Sequence, residues 1–119
     1  MTNGMLNVPT QVSVTLRGTV PQSAAAYSRE KVARVMEHTS EPILTASVVL
    51  THYPDPGHVH PATAEAALDV NGTTIRASAA SDDHFAAVDL MQDKLQRNLT
   101  EHLDRLRSLR RRPPRAAAT

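Results

Sequence analysis

Apolar residues alternate with polar ones at the start of the chain: Val12, Val14 and Leu16 are interleaved with Ser13, Thr15 and Arg17. A period of two predicts a half-buried strand, which Gly18 ends. Pro21 suits the first turn of a helix running to about His38. Its apolar positions Ala24, Ala25, Val32, Val35 and Met36 share one face, and Tyr27, Lys31, Arg34 and His38 share another. Pro42 prevents the helix from continuing. A second alternating run follows over 43–51, with Ala46, Val48 and Leu50 on one side and Thr45, Ser47 and Thr51 on the other. Three prolines and a glycine then mark a loop.

The next two strands can be registered from sequence. Asn71-Gly72 is a strong signal for a two-residue hairpin turn. Such a turn pairs Val70 with Thr73, Leu68 with Ile75, Ala66 with Ala77 and Ala64 with Ala79, an almost wholly apolar face. The opposite face sets Asp69, Ala67 and Glu65 against Thr74, Arg76 and Ser78. A slip of one residue would put the apolar set in water, so pattern and turn support one register. Ser81 or Asp82 can cap a final helix, whose apolar stripe is Phe85, Val88, Met91, Leu95, Leu99, Leu103 and Leu106. Leu90 falls on the basic side of that helix instead.

The order is β-α-β-β-β-α, an α+β class domain. The first helix is a crossover, so the first two strands should be parallel neighbours and the remaining pairs antiparallel. Each strand has one apolar face, so a four-stranded sheet should carry both helices on one side and leave a Thr-rich face to water. The expected organisation is a loose N-terminus at 1–10, one domain at 11–107 and a basic Pro/Arg/Ala-rich tail or linker at 108–119.

Composition narrows the chemistry. A chain of 119 residues with one Phe, two Tyr and no Trp builds its core from aliphatic residues and offers few stacking platforms for bases. With no Cys, disulfides, thiolate nucleophiles and Cys-ligated zinc are excluded. His52, His58 and His60 with Asp55 do not form a tight zinc pattern, so no metal and no cofactor is expected. There is no G-x-S-x-G, P-loop or H-E-x-x-H, and the four glycines are isolated, so no enzyme activity or small-molecule substrate is expected. No apolar run approaches a membrane span and no signal peptide is visible, which makes the cytoplasm the default.

Charge supplies the positive signal. The formal net charge of +1 hides a reversal: residues 1–93 hold five Lys+Arg against ten Asp+Glu, and residues 94–119 hold eight against two. Such asymmetry points to a polyanionic partner. Lys94, Arg97 and Arg105 share a flank of the final helix, and Lys31 and Arg34 stand on the first. If the helices lie side by side, the two groups can form one phosphate-binding surface, although they also fit ordinary solvated faces. Arg110, Arg111, Arg112 and Arg115 read either as an unstructured basic arm or as the start of a linker.

The run D-D-H-F-A-A-V-D-L-M-Q-D-K-L-Q-R-N-L over 82–99 resembles the final helix of the ribosome hibernation-promoting factors, also described as ribosome-associated inhibitors or sigma-54 modulation proteins. Asp83, Phe85, Ala87, Val88, Asp89, Asp93, Lys94, Leu95, Arg97 and Leu99 carry the likeness. On the first helix, E-K-V-A-R-V is similar to the family's paired basic residues at Lys31 and Arg34. The resemblance implies a fold like a double-stranded RNA-binding domain and binding to the small ribosomal subunit, in the mRNA and tRNA channel at the A and P sites. Translation would be inhibited and idle ribosomes preserved under stress. It also implies contacts to rRNA from Lys31, Arg34, Lys94 and Arg97. Phe85 stands where the family often has Tyr, and Thr100, Glu101 and His102 where it often has another base. Long members add a C-terminal dimerisation domain; this sequence ends before any such domain, so it resembles either a short form or the N-terminal domain of a long form. A general double-stranded RNA binder, or a protein-interaction module with a basic linker, remain the alternatives.

Overall fold

The hairpin at Asn71-Gly72 organises the domain. In the computed structural model, which describes residues 11–55, 57 and 59–111, Asn71 has φ 51° and Gly72 φ 100°. Two consecutive left-handed residues make the tight turn whose twist matches a right-handed ribbon. Asp69 Oδ1 accepts the Gly72 N–H at 2.8 Å and braces the turn. Strands β3 (Ala62–Val70) and β4 (Thr73–Ser81) leave it in the expected register, with Leu68 opposite Ile75 and Ala66 opposite Ala77.

The other elements are β1 (Val12–Arg17), α1 (Gln22–Met36), β2 (Ile43–His52) and α2 (His84–Arg111). The sheet order is β1-β2-β3-β4, with β1 parallel to β2 and both other pairs antiparallel. Both helices pack on the face that presents Val12, Ala46, Val48, Leu50, Ala64, Leu68 and Ile75, and they touch each other. Ala24, Val32 and Val35 of α1 and Val88, Met91, Leu95 and Leu99 of α2 close the core. The buried Ser28 of α1 donates to the Ala25 carbonyl at 2.9 Å, so its hydroxyl is satisfied where the helix needs a small residue.

Several details depart from the sequence reading. Pro21 is the residue before α1, with φ −62° and ψ 141°, rather than part of its first turn. The cap of α2 is Asp83, not Ser81 or Asp82: its Oδ1 accepts the Ala86 N–H at 2.9 Å. Ser81 is still in β4, and Asp82 turns instead to His60 Nδ1, 3.4 Å away. Phe85 leaves the core stripe and is 39% exposed, because its ring meets Tyr27 edge-on at 5.1 Å. The stripe itself is continued by the buried His84 and His102. Arg110 and the Arg111 backbone belong to α2, so the helix outlasts the apolar stripe and Arg110 is not part of an unstructured arm. Residues 1–10, His58, Arg112 and Arg115 lie outside the described residues.

Gly18 closes β1 against the end of β2. It has φ +81°, and a Cβ there would lie 2.7 Å from the His52 carbonyl oxygen. Both the left-handed backbone and the contact with a main-chain atom oppose a side chain. Gly18→Ala is expected to lower unfolding stability by roughly 2 kcal/mol, read as a reduced urea midpoint with an unchanged slope. Gly72→Ala, which meets nothing within 4 Å, should carry only the backbone part of that loss.

Candidate nucleic-acid interface

The cations of the helix layer are placed by two contacts of different kinds. Tyr27 of α1 faces α2. Its hydroxyl donates to Asp89 Oδ1 at 2.6 Å, and its ring touches Phe85. Lys31, one turn on, holds its Nζ 5.0 Å from the centroid of the Tyr27 ring, a cation–π contact. Arg34 follows, exposed and 3.7 Å from Glu30, a pairing of little energetic weight at the surface. Lys31 and Arg34 therefore border the junction between the helices.

Lys94 lies on the far flank of α2. Its Nζ donates to the Ser78 carbonyl of β4 at 3.1 Å, and Asn98, one turn later, donates to the Arg76 carbonyl at 2.8 Å. Arg105, three helical turns beyond Lys94, falls on the same flank. Between the two flanks, by helical spacing, the outer ridge of α2 carries the exposed Asp93 and Arg97. The helices do lie side by side, yet the expected single patch is divided into two cationic borders separated by a mixed ridge. The reason is rotational: Phe85 and Asp89 are turned towards α1, and the flank bearing Lys94 is then turned to the sheet edge.

Among the described residues, no carboxylate or carbonyl pairs with the guanidinium groups of Arg97 and Arg105, which are exposed. Arg107 is 3.1 Å from Asp104. Arg110 is bound to Glu41 at 2.9 Å, across the junction of α2 with the α1–β2 loop, and Glu41 is largely buried. That ion pair makes Arg110 a tie between elements as well as a surface charge. The pair was not visible in the sequence, since Glu41 and Arg110 share no local spacing. Asn98 was the more accessible omission: it stands four residues after Lys94, hence on its face.

The Tyr27–Asp89 bond also sets a titration. Donation to Asp89 favours the neutral phenol and raises the Tyr27 pKa above the usual 10.0; desolvation and the Asp89 and Glu30 charges push the same way, and the Arg34 charge opposes them. A group with a raised folded pKa contributes stability in full below its unfolded value, and loses it as pH climbs through the folded one. Ultraviolet titration of the phenols should therefore show Tyr27 ionising above the ordinary range, and Asp89→Asn should bring it down.

The histidines are spread over separate contacts. His84 Nε2–H donates to the Thr51 carbonyl at 3.0 Å, with the His52 ring 6.0 Å away, and His38 Nδ1–H donates to the Arg34 carbonyl at 2.9 Å. Among the described residues no group of three or more His, Cys, Asp or Glu is placed to hold a metal ion. No described helix is long and apolar enough to cross a membrane.

Residues 12–107 match the sequence profile of the family described as Sigma 54 modulation protein / S30EA ribosomal protein. A 45-residue stretch is 51% identical to the ribosome hibernation promoting factor of Escherichia coli (strain K12), which is 38% of this chain and 47% of that protein. The chain thus spans about half the length of that relative. Over 90 residues it is 33% identical to the ribosome hibernation promoting factor of Pseudomonas putida, covering 76% of this chain and 82% of that one. Among solved structures, the N-terminal domain of Thermus thermophilus Protein Y superposes with a TM-score of 0.63 at 22% identity, over 80% of this chain and 99% of that one. A ribosomal subunit interface protein from Coxiella burnetii gives 0.62 at 20% identity, over 78% and 97%. At these identities the two structures speak for the fold.

Proposed function

From the premise that the chain belongs to the sigma 54 modulation protein / S30EA ribosomal protein family, we propose that it is a ribosome hibernation factor. It binds the small ribosomal subunit and its rRNA in the mRNA and tRNA channel, at the A and P sites. Occupying that channel inhibits translation and preserves inactive ribosomes under stress. It acts in the cytoplasm by occlusion, without catalysis. The observation that carries this reading is the family match across 12–107, nearly the whole folded unit.

The helix layer supplies a physical means. Lys31 and Arg34 on one border, and Lys94, Arg97 and Arg105 on the ridge and the other, can each meet a phosphate while the rigid sheet fixes their spacing. Phosphate contacts of this kind give affinity and register without reading bases, as expected for a partner recognised by shape. Lys94 spends one of its three N–H donors on Ser78, leaving two for a phosphate. Arg110, Arg111 and Arg112 follow as accessory contacts, Arg110 having to share its guanidinium with Glu41.

Gradient co-sedimentation tests the proposal. The protein should travel with small subunits and whole ribosomes at low salt, and excess tRNA or mRNA should displace it. Protein that stays at the top of the gradient rules the ribosome out. Equal binding to any RNA duplex, without displacement by tRNA, favours the general double-stranded RNA binder instead.

A further inference from the structure

We infer that the ring of Phe85 is a stacking platform for one unpaired nucleobase, and that Lys31 takes the phosphate beside it. Phe85 is the one phenylalanine of the chain. It stands in the first turn of α2 and is 39% exposed, although its spacing fits the apolar stripe. Single apolar residues at a surface are ordinary. What sets Phe85 apart is how its ring is held and which charges stand beside it. The inference deepens the proposed function and rests on it for RNA as the class of partner.

The ring is held by a neighbour that is itself fixed. Tyr27 meets it edge-on, with centroids 5.1 Å apart and planes at 66°. The Tyr27 hydroxyl is in turn tied to Asp89 at 2.6 Å. The backbone that carries Phe85 is anchored on both sides. The buried His84 reaches the Thr51 carbonyl at 3.0 Å, and Asp83 accepts the Ala86 N–H at 2.9 Å. An aromatic surface already in place when its ligand arrives saves the cost of ordering it. Such a ring accepts any base, because every base has a π-face.

Charge decides the form of the ligand. Lys31 Nζ lies 5.0 Å from the centroid of the same Tyr27 ring that Phe85 touches, and the exposed Arg34 follows on α1. The start of α2 brings three exposed carboxylates close to Phe85, those of Asp82, Asp83 and Asp89. A duplex encloses its bases and presents phosphates, which these carboxylates repel. An unpaired nucleotide can turn its uncharged base to Phe85 and keep its phosphate on the Lys31 side. Splayed bases stacked on aromatic side chains are the usual way in which proteins take hold of unpaired RNA.

The chain has no tryptophan, so Phe85→Trp places a lone tryptophan at the platform. Titrating the full chain of this variant with a single-stranded oligoadenylate at low salt should quench its emission, and an RNA duplex of equal length should leave the emission unchanged. Phe85→Leu should weaken binding of the single strand about tenfold. Its slope of log affinity against log salt should stay native, because that slope counts phosphates and not bases. Lys31→Glu should lower the slope instead. A folded Phe85→Trp chain that fails to bind the oligoadenylate, or binds it without quenching, overturns the inference, and so does native affinity in Phe85→Leu. If circular dichroism shows Phe85→Leu unfolded, the Phe85→Trp titration decides alone. Gradient co-sedimentation separates the two proposals: co-sedimentation without quenching removes the platform and keeps the ribosome, and quenching without co-sedimentation does the reverse.

Discussion

Reversing Lys31, Arg34, Lys94 and Arg97 to Glu should abolish co-sedimentation with the small subunit while leaving a folded domain. The size of the effect follows from counterion release. Each phosphate neutralised contributes about 0.9 to the slope of log affinity against log salt on a duplex. Four contacts therefore make the native protein lose roughly a hundredfold in affinity for a fourfold rise in salt. Reversal replaces attraction by repulsion at each position, so the loss at low salt should be at least about as large, roughly a hundredfold or more. It should also flatten the remaining salt dependence. Folding should survive because Arg34, Lys94 and Arg97 are exposed and Lys31 is half-buried, and exposed substitutions cost little, about 0.5 kcal/mol each. Arg105→Glu alone should give a smaller loss. Unchanged affinity in the fourfold variant would remove these residues from the contact surface, whatever the ribosome gradient shows.

How far this surface was legible in the sequence depends on the range of the interaction. The hairpin register was readable because one turn and one period of two fix all its pairs, from Val70–Thr73 to Ala64–Ala79. The parallel β1–β2 pair followed from chain connectivity. The cationic residues were each identifiable from charge and helical spacing. Their mutual arrangement was not, because it depends on the rotation of α2 about its own axis. That rotation is set by contacts between distant residues: Tyr27 with Asp89, Tyr27 with Phe85, and Asn98 with the Arg76 carbonyl. Phe85 illustrates the difficulty. Its spacing matches the core stripe, yet it sits at the border of that stripe, where an aromatic neighbour on α1 can draw it out. The sequence offers Ser81 or Asp82 as the cap, two residues and one residue before the observed Asp83, for a related reason: all three are capping residue types, and only the end of β4 at Ser81 decides which one starts the helix.

Leu95→Ala should be among the most damaging single truncations in the helix that bears Lys94 and Arg97. Leu95 is 0% exposed and lies in the core cluster with Met91, Leu99 and Leu68. Removing a buried leucine side chain loses its transfer free energy and leaves a cavity that the neighbours fill only in part, about 3 kcal/mol in total. For a domain of this size that is a drop in Tm of roughly 15 °C, and a large share of a typical net stability of about 5–15 kcal/mol. The core has few aromatic residues able to shift into the space, since Phe85 is turned to the surface. Leu90→Ala is the matched control on the same helix: Leu90 is 47% exposed, and its loss should stay within about 0.5 kcal/mol. Thermal melts of the two variants check this directly. The comparison also separates scaffold from surface. Well below its transition, Leu95→Ala should still travel with the small subunit, because the cations remain in place while the domain is folded. The fourfold charge reversal should show the opposite pattern, a near-native melt with no ribosome binding. A Leu95→Ala melt indistinguishable from that of Leu90→Ala would mean that α2 is not held to the sheet through this residue.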